Sequence, residues 1–227
     1  MSHEIFTAET FVGNISKSKA CSLLEIACTF TGWPFSQNTQ IRGFAQHSRY
    51  IYAPDVQEHP SIQQTEFPDV HELISRVKTS TATFDIAYLD PWHKVEDSLQ
   101  ILEVAISTLR AGATLIMHDC HPQDAELRST SAPEIFPQAW CGSTWVAWSL
   151  FTRSLSDEFS WMTIDADYGL GVLKIPESKS QRRQLLRLVR SLSKQWASGN
   201  LPRPEWSAIP EHLHLVAPND PRVTAWV

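Results

Sequence analysis

The segment from residue 84 to residue 119 alternates between two hydrophobic patterns, and this alternation restricts the fold more than any other feature. It begins with an apolar run that ends in an acid, FDIAYLD at 84–90. Apolar residues then recur at helical spacing from 95 to 109, and Gly112 is placed as a helix C-terminal cap. A second apolar run, ATLIMHD at 113–119, also ends in an acid. Strands joined by a helix of this length predict a parallel sheet that is covered on both faces.

The other elements extend this pattern to a Rossmann-like α/β fold with a mostly parallel sheet, helices on both faces and an antiparallel C-terminal hairpin. The sequence predicts strands at 22–28 and 49–55, helices at 69–79, 140–153 and 179–198, and two strands within 159–175 around a turn at 167–169. We expect the hairpin to close one edge of the sheet. We divide the chain into a Rossmann-like domain, 1–178, and a C-terminal part, 179–227, in which an amphipathic helix and an extended proline-rich tail pack on that domain.

Composition and charge argue against several classes of protein. With 42% hydrophobic and 19% charged residues, the chain is typical of globular proteins. Its net charge of -6 argues against nucleic-acid binding, which requires clustered Lys and Arg, and favours a small-molecule substrate. No window reaches the roughly 18 apolar residues of a membrane span, and the N-terminus lacks the pattern of a signal peptide. The four cysteines have no CxxC spacing, so we expect reduced thiols in a cytoplasmic protein and leave a homo-oligomer open.

Acids and histidines follow the predicted strands at the points where those strands end. Asp90 and His93 follow one strand, His118 and Asp119 close its expected neighbour, and Asp55 ends the strand at 49–55. Ligands of open α/β sheets bind outside the carboxyl ends of the strands. Carboxylates suit Mg²⁺, and imidazole also allows Zn²⁺ or Fe²⁺. The sequence therefore predicts a divalent metal site made by Asp90, His118 and Asp119, with a histidine as a general base. The alternative is that Asp90 caps the next helix and His93 lies in its first turn.

The same region resembles a known enzyme family. The stretch FDIAYLDPWHKVEDSLQILEVAISTLRAGATLIMHDCHP is similar to the second half of the class I S-adenosylmethionine (SAM)-dependent methyltransferase fold. It is most similar to a small branch with Asp-x-x-His and His-Asp strand ends, and the resemblance extends over about residues 22–175. Relatives in that branch include metal-dependent sugar O-methyltransferases. The resemblance implies that Asp90 and Asp119 are metal ligands, with Mg²⁺ the first choice, and that His93 is the base.

The first half of the chain departs from this family. Where the family has Glu-x-Gly-x-Gly-x-Gly, the chain reads LLEIACTFTG. The resemblance implies that the cofactor site comprises Glu25, Ala27, Gly32, Asp55 and Asp90, with Asp55 near the ribose. Glycine lets backbone approach a ligand closely, and side chains replace it here. We therefore predict that SAM, if it binds, binds weakly.

Aromatic and glycine residues complete the predicted site. Trp92 follows the first acid, Trp140 and Gly142 lie at the start of the predicted helix at 140–153, and Tyr168 lies in the predicted hairpin turn. We assign them to the substrate pocket, with packing as the alternative for the two tryptophans and Gly142.

Three functions remain open at this point. The first is a metal-assisted SAM-dependent O-methyltransferase acting on a small or saccharide-like acceptor. The second is a SAM-independent metalloenzyme, a lyase, hydrolase or oxidative enzyme, on the same scaffold. The third is a non-catalytic binding relative.

Overall fold

The fold is built on one eight-stranded sheet. The computed structural model describes residues 6–17, 21–27, 44, 46–52, 65–67, 69–131 and 140–226. The strands are β1 Ser22–Ala27, β2 Gln46–Tyr52, β3 Thr65–Phe67, β4 Phe84–Asp90, β5 Leu109–Met117, β6 Trp161–Ile164, β7 Leu170–Lys174 and β8 Leu215–Val216. They lie in the order β3-β2-β1-β4-β5-β7-β6-β8, and β7 runs antiparallel to both of its neighbours while every other pair is parallel.

Helices cover both faces of the sheet. They are α1 Ala8–Ser16, α2 Val70–Thr79, α3 Val95–Thr108, α4 Thr144–Arg153, α5 Lys179–Ala197 and α6 Pro221–Thr224. Side chains alternate along β1, so that Leu24 and Ile26 join one core cluster and Leu23 joins the other. Helices α2 to α5 pack on the first face, and α1 and α6 pack on the second. The predicted Rossmann-like α/β fold, with its mostly parallel sheet and antiparallel hairpin, is therefore confirmed.

Helix α2 shows how the sequence specifies these elements. Asp69 precedes it, and its carboxylate accepts hydrogen bonds from the backbone N–H groups of His71 and Glu72. Val70, Leu73 and Val77 face the core at helical spacing. The helix begins and ends where the sequence predicts.

The prediction that Gly112 caps a helix is wrong. Helix α3 ends at Thr108, and β5 begins at the next residue, so Gly112 lies inside a strand. It occupies a left-handed conformation, with φ of 72°, where the pairing of β4 with β5 shifts register. Its N–H donates to the carbonyl of Ile175 at 2.9 Å. A glycine suits the positive φ of a β-bulge as well as that of a helix end.

The predictions for the two ends of the chain need correction. Helix α1 and the short strand β3 were not predicted, and β2 begins at Gln46 rather than at 49. The hairpin β6–β7 does not close the sheet, because β8 pairs with β6 outside it. The tail is not simply extended, since it forms short 3-10 turns, β8 and α6. No helix among the described ranges is long and apolar enough to cross a membrane.

Strand directions place several loops at one edge of the sheet. The parallel strands β4 and β5 both end there. Because β7 is antiparallel to β6, the turn between them, which contains Asp167 and Tyr168, lies at the same edge. The fold therefore brings three loops that are far apart in sequence to one place.

Candidate metal and methyl-transfer site

Three of the predicted side chains meet at this edge. Asp90 is the last residue of β4, His93 follows in a left-handed conformation with φ of 20°, and Asp119 follows β5 with φ of 60°. His93 Nε2 lies 2.8 Å from Asp119 Oδ2 and 3.4 Å from Asp90 Oδ1. One potential ligand atom from each residue lies within 4.8 Å of the others. We call these three residues the carboxylate–histidine cluster.

His118 lies beside this cluster and links it to the β6–β7 turn. Its Nδ1 is 3.2 Å from Asp119 Oδ1 and 3.8 Å from Asp90 Oδ1. Its Nε2 is 3.5 Å from Asp167 Oδ1. The second oxygen of Asp167 accepts a hydrogen bond from the backbone N–H of Ala8, the first residue of α1, at 2.8 Å. The sequence did not single out Asp167 as a site residue.

The buried charges of the site shift one another's pKa values. Burial by itself lowers the pKa of His93, but the carboxylates of Asp119 and Asp90 outweigh it and raise this pKa to about 9. The same competition raises the pKa of His118 well above its usual value. Burial by itself raises the pKa of both carboxyl groups, but the imidazoles outweigh it and lower the pKa of Asp90 and of Asp119. The cluster therefore holds ionised carboxylates beside imidazolium groups at neutral pH.

A divalent metal fits this arrangement of donors. Carboxylate oxygen and imidazole nitrogen are ligands of Mg²⁺, Mn²⁺, Zn²⁺ and Fe²⁺. Ligands at about 2.0 to 2.6 Å from a shared ion lie at most about 5 Å apart, and the cluster satisfies this limit. His93 Nδ1 and His118 Nδ1 are also buried without a hydrogen-bond partner. Asp90, Asp119 and one or both imidazoles could therefore hold an ion.

The segment before α4 packs against the back of His93. The ring of Trp140 contacts the His93 ring edge-on, with centroids 4.9 Å apart, and it also contacts Trp92 at 5.6 Å. The Ser143 N–H donates to the His93 carbonyl at 2.6 Å. Gly142 has φ of 54°, and a Cβ there would lie 2.6 Å from both Cβ and O of His93. Trp92 and Trp140 are only 4% and 9% exposed, so these predicted substrate residues lie where they hold His93 in place.

Cys141 belongs to the same segment and contacts Asp119. Its buried thiol lies near the Asp119 carboxylate. Burial raises the pKa of Cys141, and the negative charge of Asp119 raises it further. The thiol therefore stays protonated at neutral pH. Cys21, Cys120 and Cys141 are all free, as predicted, whereas Cys28 lies outside the described residues.

The predicted cofactor residues are only partly described. Glu25 is 2% exposed and forms an ion pair with the neighbouring Arg49 across β1 and β2, at 3.1 Å. Ala27, the last residue of β1, is 4% exposed and pairs in register with Asp90. Gly32 and Asp55, which were predicted to contact SAM, lie outside the described residues.

A cleft of about 280 Å³ opens beside the β6–β7 turn. Its walls include Asp167, Tyr168 and His121. Tyr168 is 42% exposed and its ring meets His118 edge-on, with centroids 6.1 Å apart. His121 follows Asp119 by two residues, in a loop where a histidine is expected to face solvent, but it is only 4% exposed. Its Nδ1 lies 2.9 Å from Asp165 Oδ1, and its ring stacks on Trp206 of the tail.

Sequence reasoning missed Asp167 and Cys141 for different reasons. Asp167 carried a usable signal, because an acid in a turn at the carboxyl edge of the sheet lies where the other acids lie. Cys141 carried none, since a cysteine in an apolar segment is more often a packing residue.

Comparisons with known proteins give fold-level similarity alone. No known family model matches the sequence, and no curated protein matches it. Similar solved structures include a candidate O-methyltransferase from Klebsiella pneumoniae, at 10% identity and a TM-score of 0.48, covering 78% of this chain and 83% of that one. They also include a candidate SAM-dependent methyltransferase from Streptococcus mutans, at 9% identity and a TM-score of 0.40, covering 74% of this chain and 48% of that one.

A third similar structure contains both a metal and a cofactor product. It is MycE, a methyltransferase of the mycinamycin biosynthetic pathway, in complex with Mg, SAH and mycinamycin VI. The identity is 13%, the TM-score is 0.41, and the alignment covers 72% of this chain and 47% of that one. This chain thus spans less than half the length of the second and third of these proteins. From its own sheet order and strand directions, the chain has a Rossmann-like α/β fold.

Proposed function

We propose that this chain is a metal-assisted, SAM-dependent O-methyltransferase that acts on a hydroxyl of a small or saccharide-like acceptor. The convergence of Asp90, His93 and Asp119 within 4.8 Å carries this proposal. These residues lie at the carboxyl edge of a parallel sheet, where open α/β folds bind their ligands.

The residues of the cluster have distinct roles in this proposal. Asp90 and Asp119 hold a divalent ion, Mg²⁺ by first choice, with His118 beside them. The ion, when bound, supplies Lewis acidity that lowers the pKa of the acceptor hydroxyl. His93 takes the proton of that hydroxyl. Asp90 and Asp119, the carboxylates that raise the pKa of His93 to about 9, would also hold the ion. A cation near His93 lowers its pKa and so favours the neutral imidazole that a base requires.

The cleft at the β6–β7 turn, which contacts His118 through Asp167 and Tyr168, suits a small polar acceptor. Tyr168 and Asp167 offer a phenol and a carboxylate at its wall, and both groups hydrogen-bond to hydroxyls. SAM, when bound, supplies the methyl group. The side chains that fix His93, above all Trp140, keep the base in place for an aligned reaction.

One observation favours a second function, a SAM-independent metalloenzyme. The methyl group of Ala27 is buried at the end of β1, where the family has glycine, and Glu25 is bound to Arg49. The Ala27 methyl group reduces the open backbone that a SAM site of this family uses, and the ion pair with Arg49 occupies the Glu25 carboxylate. They leave the carboxylate–histidine cluster unchanged, so a metal enzyme without SAM keeps its centre.

Titration calorimetry with Mg²⁺, Mn²⁺ and SAM, together with metal analysis, separates these functions. We expect the parent protein to bind one divalent ion, and Asp90→Asn and Asp119→Asn to lose it, while the exposed control Asp157→Asn keeps it. Equal metal occupancy in all four proteins would refute the metal site. We expect SAM to bind with a dissociation constant above about 1 µM, weaker than about -8.2 kcal/mol. No binding at millimolar SAM would select the SAM-independent enzyme.

A further inference from the structure

We infer that Asp167 is a positioning residue that holds His118 with its Nδ1 atom toward the metal-binding carboxylates, so that His118 adds a nitrogen ligand to the cluster. This inference rests on the proposed function, because it concerns the affinity of the cluster for a divalent ion. It gives the β6–β7 turn and helix α1 a part in metal binding.

The contacts of Asp167 define the orientation of the imidazole. An ionised carboxylate only accepts hydrogen bonds, so the His118 Nε2 atom that faces Asp167 Oδ1 at 3.5 Å carries the hydrogen. Nδ1 also faces a carboxylate, Asp119 at 3.2 Å, so without an ion each ring nitrogen can carry a hydrogen. A cation between Asp90 and Asp119 would displace the hydrogen on Nδ1, while Asp167 keeps the one on Nε2. Metal-binding histidines commonly donate their other N–H to a carboxylate in this way, which fixes the tautomer and makes the ligand more basic.

The surroundings of His118 leave a place for a cation. Its Nδ1 is buried and has no hydrogen-bond partner, although Asp119 Oδ1 lies only 3.2 Å away. The rings of Tyr88 and Tyr168 both contact the imidazole, and the centroid of each ring lies 6.1 Å from that of His118. An ion between the carboxylates would give this nitrogen the partner that it lacks.

Helix α1 fixes the other half of the Asp167 carboxylate. Oδ2 accepts the N–H of Ala8 at 2.8 Å, in the first turn of α1. The helix N-terminus favours a negative charge there. If Asp167 had only a structural role, it would act only through its contact with Ala8. The test therefore has to separate an effect on α1 from an effect on metal affinity.

The experiment measures Mn²⁺ affinity by titration calorimetry in the parent and in three variants. Asp167→Asn should raise the dissociation constant by about 10- to 100-fold, the usual effect of removing an outer partner of a ligating histidine. Asp165→Asn is the matched control, because Asp165 lies in the same loop but contacts His121. Thr7→Ala removes the side-chain cap of α1, which accepts from Thr10 N, without touching His118. Both controls should stay within about 3-fold of the parent.

Each outcome decides the inference. Equal affinity in Asp167→Asn and the parent would overturn it and leave Asp167 as a cap of α1. If the parent itself does not bind Mn²⁺, the proposed metal site is refuted, and the inference with it. This result comes from the parent alone, so it is distinguishable from any result on the variants. If Asp167→Asn does not fold, a second experiment takes the place of calorimetry on that variant. It compares the pulsed electron paramagnetic resonance spectra of Mn²⁺ bound to the parent and to His118→Gln. Loss of one nitrogen coupling in His118→Gln supports the inference, and an unchanged spectrum overturns it.

Discussion

Replacing Gly142 by alanine tests whether the segment before α4 holds His93 in place. A Cβ on this residue would lie 2.6 Å from Cβ and O of His93, whereas ordinary contacts begin at 3.4 Å. Either His93 or the segment must therefore move by about 0.8 Å, and overpacking of this kind costs about 1 to 3 kcal/mol. The left-handed φ of 54° adds about 1 to 2 kcal/mol. We expect Gly142→Ala to lose about 2 to 5 kcal/mol of stability.

A second glycine isolates the contact with His93. Gly199 has φ of 70°, and a Cβ there would meet nothing within 4 Å. Gly199→Ala therefore carries the backbone cost alone, about 1 to 2 kcal/mol. For a chain of this size each kcal/mol lowers the melting temperature by about 2 to 4 °C. Thermal unfolding should place Gly142→Ala about 2 to 12 °C below Gly199→Ala, and calorimetry should show weaker Mn²⁺ binding only in Gly142→Ala. Equal melting temperatures and equal affinities would refute the role of this segment.

Two further predictions concern proton transfer and acid stability. His93→Gln should keep the fold and bound metal while turnover falls by about 10² to 10⁴, whereas the exposed control His212→Gln should keep parent turnover; loss of metal in His93→Gln would instead make His93 a ligand. Burial raises the pKa of Asp85, but hydrogen bonds from Ser22 and the guanidinium of Arg110 outweigh it and lower this pKa. The pKa of Asp85 in the folded state thus lies below its unfolded value of about 3.9. The ionised carboxylate therefore stabilises the fold fully above about pH 3.9, and this stabilisation is lost as the pH falls through the folded-state pKa. The melting temperature of Asp85→Asn should therefore lie below that of the parent at pH 7 and approach it below about pH 4; a constant difference would contradict the assignment.

The region from β4 to β5 could be predicted because its local patterns agree with the final fold. Apolar runs and a helical repeat of sufficient length leave little choice of element type. Gly112 misled the prediction because local sequence does not distinguish a helix end from a bulge. The hydrogen bond to Ile175, far along the chain, is what makes it a bulge.

The centre of the site could be predicted for the same reason, and its periphery could not. Asp90 and Asp119 meet because neighbouring parallel strands end at one edge, a rule that needs only local pattern. The contact of Asp167 with Ala8 joins residues 159 positions apart. Such contacts follow from the direction of the hairpin and the docking of α1, and no short stretch of sequence encodes them.

The position of β7 has a consequence for the order of assembly. This strand comes after β6 in the chain but lies between β5 and β6 in the sheet. Among the described strands, β6 can join the rest of the sheet only through β7, because its other neighbour, β8, pairs with β6 alone. During synthesis β6 must therefore wait until residue 174 has been made. The turn that carries Asp167 closes only at that step. A nascent chain that stopped before β7 would contain Asp90 and Asp119 but would not yet hold Asp167 against His118, so the order of folding follows the order of strands in space.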